Sequence, residues 1–281
     1  MTRNPLIGIF FMLGAMAILP MIDVIAKHLG QSIPILQIVW ARLALGALIT
    51  LPIAARHGGL VPARPWLHTA RAGFLMAATF LFFSSLKFLP IADALAIFFV
   101  QPLVLTALSP FVLQERVSLR RWIAVGVGFV GTLIIIRPGM GAFNPGALLA
   151  LGAGTALALY FLLTRKVSGT APAIVTTFQT NAIGGVIASV LVLWVWQAPT
   201  PTEWALFFGL AVIANLGHWL IVRAYDYAEA SLLAPLAYTE MVTATIFGLV
   251  FFGDFPDAYT LLGVAILIGC AVYISTVRET P

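Results

Sequence analysis

Long apolar stretches alternate along the chain with short clusters of charged residues. Each stretch supplies most or all of the ~20 residues that a helix needs to cross the ~30 Å hydrocarbon core of a bilayer. The strict alternation of polar and apolar positions that a β-barrel would need is missing from the sequence. The pattern therefore predicts ten membrane-spanning helices, here called spans 1 to 10, over residues 5–27, 34–55, 66–86, 91–113, 121–137, 145–165, 172–196, 203–222, 231–252 and 258–277.

Composition and charge support an all-α integral membrane protein surrounded by membrane lipid. Of 281 residues 61% are apolar and 9% are charged, whereas soluble domains have roughly 45–50% and ~25%. With the N-terminus in the cytoplasm, eleven Lys and Arg residues lie at cytoplasmic ends or loops, and only Lys27, Lys87 and Arg137 lie outside. The positive-inside rule therefore predicts N-in and C-in. The net charge of +5 follows from the basic residues on the cytoplasmic side. The sequence has no cluster of basic residues of the kind that binds nucleic acid, so a nucleic-acid partner is not expected.

The second half of the chain resembles the first half. A shift of 139 residues places Lys27 on Lys166 and Gly46 on Gly185, and it superimposes the span boundaries. The same shift aligns two acidic loops, Gln114-Glu115 and Gly253-Asp254. We therefore predict a five-helix repeat over 1–137, a connecting turn over 138–143 and a second repeat over 144–281. Since five is odd, the second repeat is inverted in the membrane, as in many secondary transporters.

Polar residues at matched positions predict a central site. Glu240 in span 9 aligns with Gln101 in span 4, and Arg42 in span 2 aligns with Asn181 in span 7. An ionisable residue at mid-membrane depth costs about 2.5–3.5 kcal/mol and usually faces the protein interior or water. We expect Glu240 to face a central cavity. Proton coupling, contact with a cationic substrate and a fixed ion pair all remain open as its role.

Other polar and aromatic residues extend the candidate site. Asp23 and Lys27 share a face of span 1 and can form an interfacial ion pair, or else contribute an outer gate or substrate contact. Arg42 needs an acidic or carbonyl partner, for which Asp23 and Glu240 are candidates. His218 is either a packing residue or a contact for protons or substrate. Tyr238 and Trp219 are candidates to stack on a flat substrate, together with Tyr160, Phe98 and Phe99.

A glycine motif and the His and Cys residues could suggest a cofactor or a metal, but neither is predicted. "GVGFVG", residues 126–131, satisfies G-x-G-x-x-G, but it lies inside span 5 and lacks the preceding strand of a dinucleotide site. Its glycines are expected to allow close helix packing, as are Gly263 and Gly269 in span 10. The four histidines and the single Cys270 show no zinc-binding or metalloprotease spacing.

Three stretches carry a resemblance to a known family: "FLLTRKVSG", "QERVSLRRWIAVGVGFVGTLIII" and "APLAYTEMVTATIFGLVFFGDFPDAYTLLGVAILIGCAVYI". They resemble the EamA-like branch of the drug/metabolite transporter superfamily, whose ten-helix members contain two EamA repeats. The match to P-x-x-Y-x-E ends at Glu240, and F-G-D/E-x-P contains Asp254 where Glu is more usual. This places the chain near carriers proposed to move S-adenosylmethionine or riboflavin.

The predicted function is ATP-independent transport of a small organic metabolite across the bacterial inner membrane, because no P-loop occurs in the sequence. S-adenosylmethionine, riboflavin and amino acids are the candidate substrates, and proton coupling and uncoupled exchange both remain open. A lipid-carrier flippase and a membrane-embedded enzyme are the alternatives, and an enzyme is not expected because no catalytic dyad is evident. A homodimer is compatible with the sequence, which leaves the transport direction open.

Overall fold

The computed structural model describes residues 5–62, 64–113, 119–136, 144–167, 171–227, 236 and 238–276. Within these ranges the chain is helical and contains no strand, in agreement with the predicted all-α class. The helices are α1 (Pro5–Ile18), α2 (Pro20–Leu29), α3 (Ile35–His57), α4 (Pro65–Ser85), α5 (Ile91–Phe98), α6 (Gln101–Leu113), α7 (Leu119–Ile136), α8 (Pro145–Val167), α9 (Ala173–Val192), α10 (Pro201–Tyr227), α11 (Thr239–Phe252) and α12 (Ala258–Thr276).

Every predicted span overlaps at least one of these helices. Six helical segments are long and apolar enough to cross a bilayer. They are Pro5–Leu29, Ile35–His57, Ile91–Val112, Pro145–Thr164, Ile174–Val192 and Pro201–Ile221. Shorter apolar helices occupy Trp122–Ile136, Thr239–Phe252 and Ala258–Cys270. The multi-span helical architecture is therefore present, while ten crossings and the N-in/C-in orientation stay predictions.

Two predicted spans are interrupted rather than continuous. Span 1 divides into α1 and α2 at Pro20, which lacks a backbone N–H. Span 4 divides between Phe98 and Gln101, and α6 begins with Gln101 followed by Pro102. At the matched position in span 9, α11 begins at Thr239, immediately before Glu240. Both matched polar residues therefore lie in the first turn of a helix that begins inside its span.

Equivalent helices of the two predicted repeats pack against each other in antiparallel directions. Gln37, near the start of α3, exchanges hydrogen bonds of 2.8 and 3.0 Å with the backbone of Gln197, beyond the end of α9. Near the start of α9, Gln179 donates a 3.0 Å hydrogen bond to the carbonyl of Gly59, just after α3. An antiparallel pairing of equivalent helices is what inverted repeats require. The repeat boundaries themselves remain a prediction, and Gln114 and Glu115 lie outside the described residues.

The equivalent helices α7 and α12 approach each other most closely at two glycines. A Cβ atom on Gly131 would lie 2.9 Å from Cγ2 of Ile266, and one on Gly263 would lie 2.7 Å from the carbonyl oxygen of Gly131. The packing interpretation of "GVGFVG" is therefore confirmed at Gly131 and in α12 at Gly263. Gly126 and Gly269 have no atom within 4 Å of such a Cβ, so they do not contribute to this contact.

Candidate functional site

A cavity of about 650 Å³ lies in the middle of the helical bundle. Its wall is contributed by helices of both halves, including α2, α3 and α6 from the first and α8, α10 and α11 from the second. Most of the lining is apolar, and a few polar side chains interrupt it. This combination is typical of small-molecule sites, which enclose roughly 300–1,000 Å³. The polar and charged lining residues are Asp23, Arg42, Thr79, Gln101, Thr106, Tyr160, His218, Tyr238 and Glu240.

The structure brings the predicted charged residues to one cavity without pairing them. Asp23 on α2 is 7% exposed, and Arg42 on α3 and Glu240 on α11 also line the wall. Nη1 of Arg42 donates a 2.6 Å hydrogen bond to the hydroxyl of Thr79 on α4. Among the described residues, Arg42 forms no ion pair within 4.0 Å with Asp23 or Glu240. Two carboxyl groups and one guanidinium therefore face a shared space in this conformation.

Lys27 does not form an ion pair with Asp23, which was one of the two interpretations that the sequence left open. Its Nζ atom instead lies 2.7 Å from Oδ2 of Asp254, in the connection between α11 and α12. The ammonium group also lies 4.5 Å from the ring centroid of Phe252. The long Lys27 side chain therefore pairs with a segment that is 227 positions away in the chain. This contact leaves the Asp23 carboxylate on the cavity wall.

Aromatic side chains surround the interruption of span 4. The Phe99 ring stacks on the Tyr238 ring with centroids 5.0 Å apart and an interplanar angle of 29°. The Phe82 and Phe98 rings lie 4.7 Å apart on the same cavity wall. Trp219 is placed elsewhere: it is 49% exposed, and its ring packs edge-on against Phe11 at 6.1 Å. The structure therefore brings Tyr238 to the cavity but not Trp219.

A small second chamber adjoins the main cavity and contains the remaining predicted residue, Asn181. Its volume is about 30 Å³, and it shares Arg42, Tyr160 and His218 with the larger cavity. Asn181 Nδ2 donates a 3.3 Å hydrogen bond to Oδ1 of Asn215, which in turn donates to the carbonyl of Ala211 at 2.8 Å. The matched residues Arg42 and Asn181 thus meet at one chamber.

Sequence reasoning missed two polar residues near these cavities. Thr79 lies 37 positions from its partner Arg42, and no sequence pattern indicates this contact. Arg71 is one of the eleven basic residues that the topology assigns to cytoplasmic ends or loops. In the structure it lies on α4, is 2% exposed and contacts α8 and α9. Its position six residues into span 3 was the available signal that it is deeper than a loop residue.

The comparisons with known proteins agree with this architecture. The model of the EamA-like transporter family matches residues 6–137 and again 144–276. The chain belongs to the EamA-like transporter family. The resemblance identified from the sequence, including two EamA repeats, is therefore confirmed. A multi-pass location in the bacterial inner membrane follows from membership of this membrane family and from the six helical segments that can cross a bilayer.

Relatives with assigned functions are named as transporters. The S-adenosylmethionine uptake transporter of Rickettsia bellii is 29% identical over 254 residues, which cover 90% of this chain and 87% of the relative. The riboflavin transporter of Vibrio cholerae is 28% identical over 285 residues, which cover 97% and 94%. The pseudopaline exporter CntI of Pseudomonas aeruginosa is 23% identical and covers 92% of each chain. The protein is thus a membrane metabolite transporter.

A solved structure of another protein has the same fold. That crystal structure superposes with a TM-score of 0.66 and covers 96% of this chain and 95% of its own chain. The two sequences are 18% identical, so the similarity concerns the fold alone.

Proposed function

We propose that this protein is a secondary carrier that moves a small zwitterionic metabolite across the inner membrane by alternating access. The observation that supports this most strongly is the central cavity, in which Asp23 and Glu240 face the same space as Arg42 without an ion pair between them. A buried charge is costly unless it is paired. A zwitterion would supply a cationic group for the carboxylates and an anionic group for the guanidinium.

The relatives and the aromatic residues narrow the substrate class. S-adenosylmethionine and amino acids are zwitterions, and the Rickettsia bellii relative is named for the first of these. The stacked Phe99 and Tyr238 rings would suit a flat ring such as an adenine or a flavin. Riboflavin, the substrate in the name of the Vibrio cholerae relative, is a neutral aromatic and would use this aromatic pair more than the charged groups.

Alternating access is supported by the arrangement of the cavity and of the two halves. The lining extends from Asp23 to Met12 along α2 and α1, and from Gln101 to Thr106 along α6. Along α2 and α1 this direction leads away from Lys27 and its contact with Asp254. In this conformation the Lys27 end of the bundle is bridged by an ion pair. Inverted repeats over 1–137 and 144–281 would let the two ends exchange roles during the cycle.

Glu240 is the residue we assign to energy coupling. This chain contains no P-loop sequence, which favours a transport step driven by a gradient. Glu240 lies in the first turn of α11 on the cavity wall, where either a proton or a cationic substrate group could neutralise it. Competition between these two partners for one carboxylate would couple substrate release to proton binding.

Thermal stabilisation of the purified protein tests the substrate class. The panel contains S-adenosylmethionine, riboflavin, aromatic and aliphatic amino acids, and polyamines. A ligand that binds the folded state raises the apparent unfolding temperature, with about 2.7 kcal/mol of stabilisation at a hundredfold excess over its Kd. We expect a zwitterion to stabilise the protein most. Stabilisation by polyamines alone would reject the role of Arg42, and no stabilisation by any member would favour the lipid-carrier flippase.

A further inference from the structure

The small chamber next to the cavity differs from the cavity in its charge. Among the residues that the structure describes, no Asp or Glu lines the chamber, and Arg42 does. The remaining wall combines apolar groups and His218 with hydroxyl and amide groups, including those of Thr177, Thr180 and Asn181. Asp23 and Glu240 line only the larger cavity. Arg42 therefore borders both spaces, whereas the two carboxylates border the large cavity alone.

A second buried guanidinium lies directly behind the chamber wall. Arg71 is 2% exposed, and its Nη2 donates to the Thr180 hydroxyl and to the Thr176 carbonyl, the latter at 2.7 Å. Its guanidinium carbon lies 5.5 Å from the centroid of the Tyr160 ring. Thr180 and Tyr160 both line the chamber. A single layer of side chains thus separates this second positive charge from the space beside Arg42.

Arg71 has unused hydrogen-bonding capacity. Its Nε and Nη1 atoms are buried and have no hydrogen-bond partner among the described residues. A buried unsatisfied donor is costly, and more so when it is charged. An anion in the chamber would lower this cost, because electrostatic attraction acts strongly across a thin low-dielectric layer. The two nearby guanidinium groups, together with the lack of carboxylates among the described lining residues, favour a negatively charged occupant.

We propose that the chamber is an anion subsite, sized for one carboxylate group or one small monovalent anion, with Arg42 facing the anion and Arg71 reinforcing it through Thr180 and Tyr160. About 30 Å³ is enough for one or two water-sized groups and too little for a whole metabolite. The assignment of the anion to a substrate carboxylate rests on the proposed transport function. The substrate would then span the two cavities, with its cationic group at Asp23 and Glu240.

Titration of the purified protein with sodium acetate tests the subsite without any transport substrate. Acetamide is the matched control, because it has almost the size and shape of acetate but no charge. We expect acetate to raise the unfolding temperature saturably in the wild type, and acetamide to have no saturable effect. Arg71→Gln should weaken the apparent acetate affinity by about tenfold or more, since hydrogen bonds and electrostatics of a charged group are lost. Arg56→Gln removes the same charge from an exposed position near the end of α3 and should leave the acetate titration unchanged.

Two further variants keep the test decisive if Arg71→Gln does not fold. Arg71→Lys retains the charge but has fewer donors, and Thr177→Val removes one chamber hydroxyl at nearly constant volume. Both should weaken acetate binding. Identical titrations with acetate and acetamide, or wild-type acetate affinity in all the Arg71 and Thr177 variants that fold, would overturn the proposal. These results do not depend on whether transport is observed.

Competition then distinguishes the sources of the anion. If a stabilising zwitterion displaces acetate and its decarboxylated analogue does not, the substrate carboxylate occupies the chamber. If the zwitterion and acetate bind together, the carboxylate assignment is rejected and the subsite holds a free monovalent anion, for which chloride titration gives the affinity.

Discussion

The ion pair between Lys27 and Asp254 should make a measurable contribution to stability. The pair joins the end of α2 to the connection between α11 and α12 at an N–O distance of 2.7 Å, and the two side chains are only 17% and 31% exposed. We consider Lys27→Met, Asp254→Asn and the double variant, which together form a double-mutant cycle. The cycle isolates the interaction from the effects of each substitution alone.

The magnitude follows from the environment of the pair. Fully exposed pairs contribute about 0.2–1 kcal/mol, and a cation over an aromatic ring adds about 0.5–1 kcal/mol at exposed sites. Since both partners are mostly shielded, we expect a coupling energy of about 1 kcal/mol between Lys27 and Asp254. The contact of Lys27 with the Phe252 ring, 4.5 Å from its centroid, adds to the cost of Lys27→Met and cancels in the cycle. The costs of the two single variants should add up to more than the cost of the double variant, because each single variant leaves one shielded charge without its partner.

Unfolding by SDS in mixed micelles measures the free energy for each variant. Lys87→Met is the control, since Lys87 is an exposed lysine in the turn after α4, and its loss should change stability by less than about 0.5 kcal/mol. Added salt should reduce the coupling only modestly, because shielded pairs are screened less than exposed ones. A coupling below about 0.3 kcal/mol, or a cost of Lys87→Met equal to that of Lys27→Met, would refute the reasoning.

Two further predictions concern the cavity and the helix contact. Glu240→Gln should lower substrate uptake into proteoliposomes without lowering the amount of protein in the membrane, and wild-type uptake by this variant from mildly acidic to mildly alkaline pH would reject the coupling role. Gly263→Ala should be less stable than Gly269→Ala by about 1–3 kcal/mol, because both gain the same helix propensity but only the first forces a Cβ against α7. Equal unfolding midpoints of these two variants in SDS would show that the close approach is not tight.

Much of the candidate site could be predicted from the sequence, because the repeat selects the few polar residues that occupy matched positions in the two halves. Glu240 and Gln101 align under the 139-residue shift, and the structure places both on the cavity wall at the start of α11 and α6. Asp23, Arg42, His218 and Tyr238 line the same cavity. The sequence could not show that Trp219 lies outside the cavity. Successive side chains on a helix point about 100° apart, and the sequence does not show which of two neighbouring residues faces the cavity. His218 faces the cavity, whereas Trp219 packs against Phe11.

Contacts between distant segments could not be predicted. Lys27 has an acidic residue one helical turn earlier and another 227 positions away, and it binds the distant one. Arg71 has the same side chain as the arginines of the loops, yet it is buried against Thr176 and Thr180. In both cases the partner is chosen by which helices are adjacent, and a local pattern contains no information on that adjacency.

By itself the sequence determined that this protein is helical and membrane-embedded, and that it belongs to a two-repeat transporter family, because the length and spacing of apolar stretches are local properties that a bilayer selects directly. The tertiary structure decided which polar groups share a cavity, that Arg42 lacks an ion pair with Asp23 or Glu240, and that basic and neutral groups line a separate chamber. Those facts depend on how the helices pack and rotate about their axes. Packing within a membrane is set by close contacts such as that of Gly131 with Gly263, and not by the hydrophobicity of the helices.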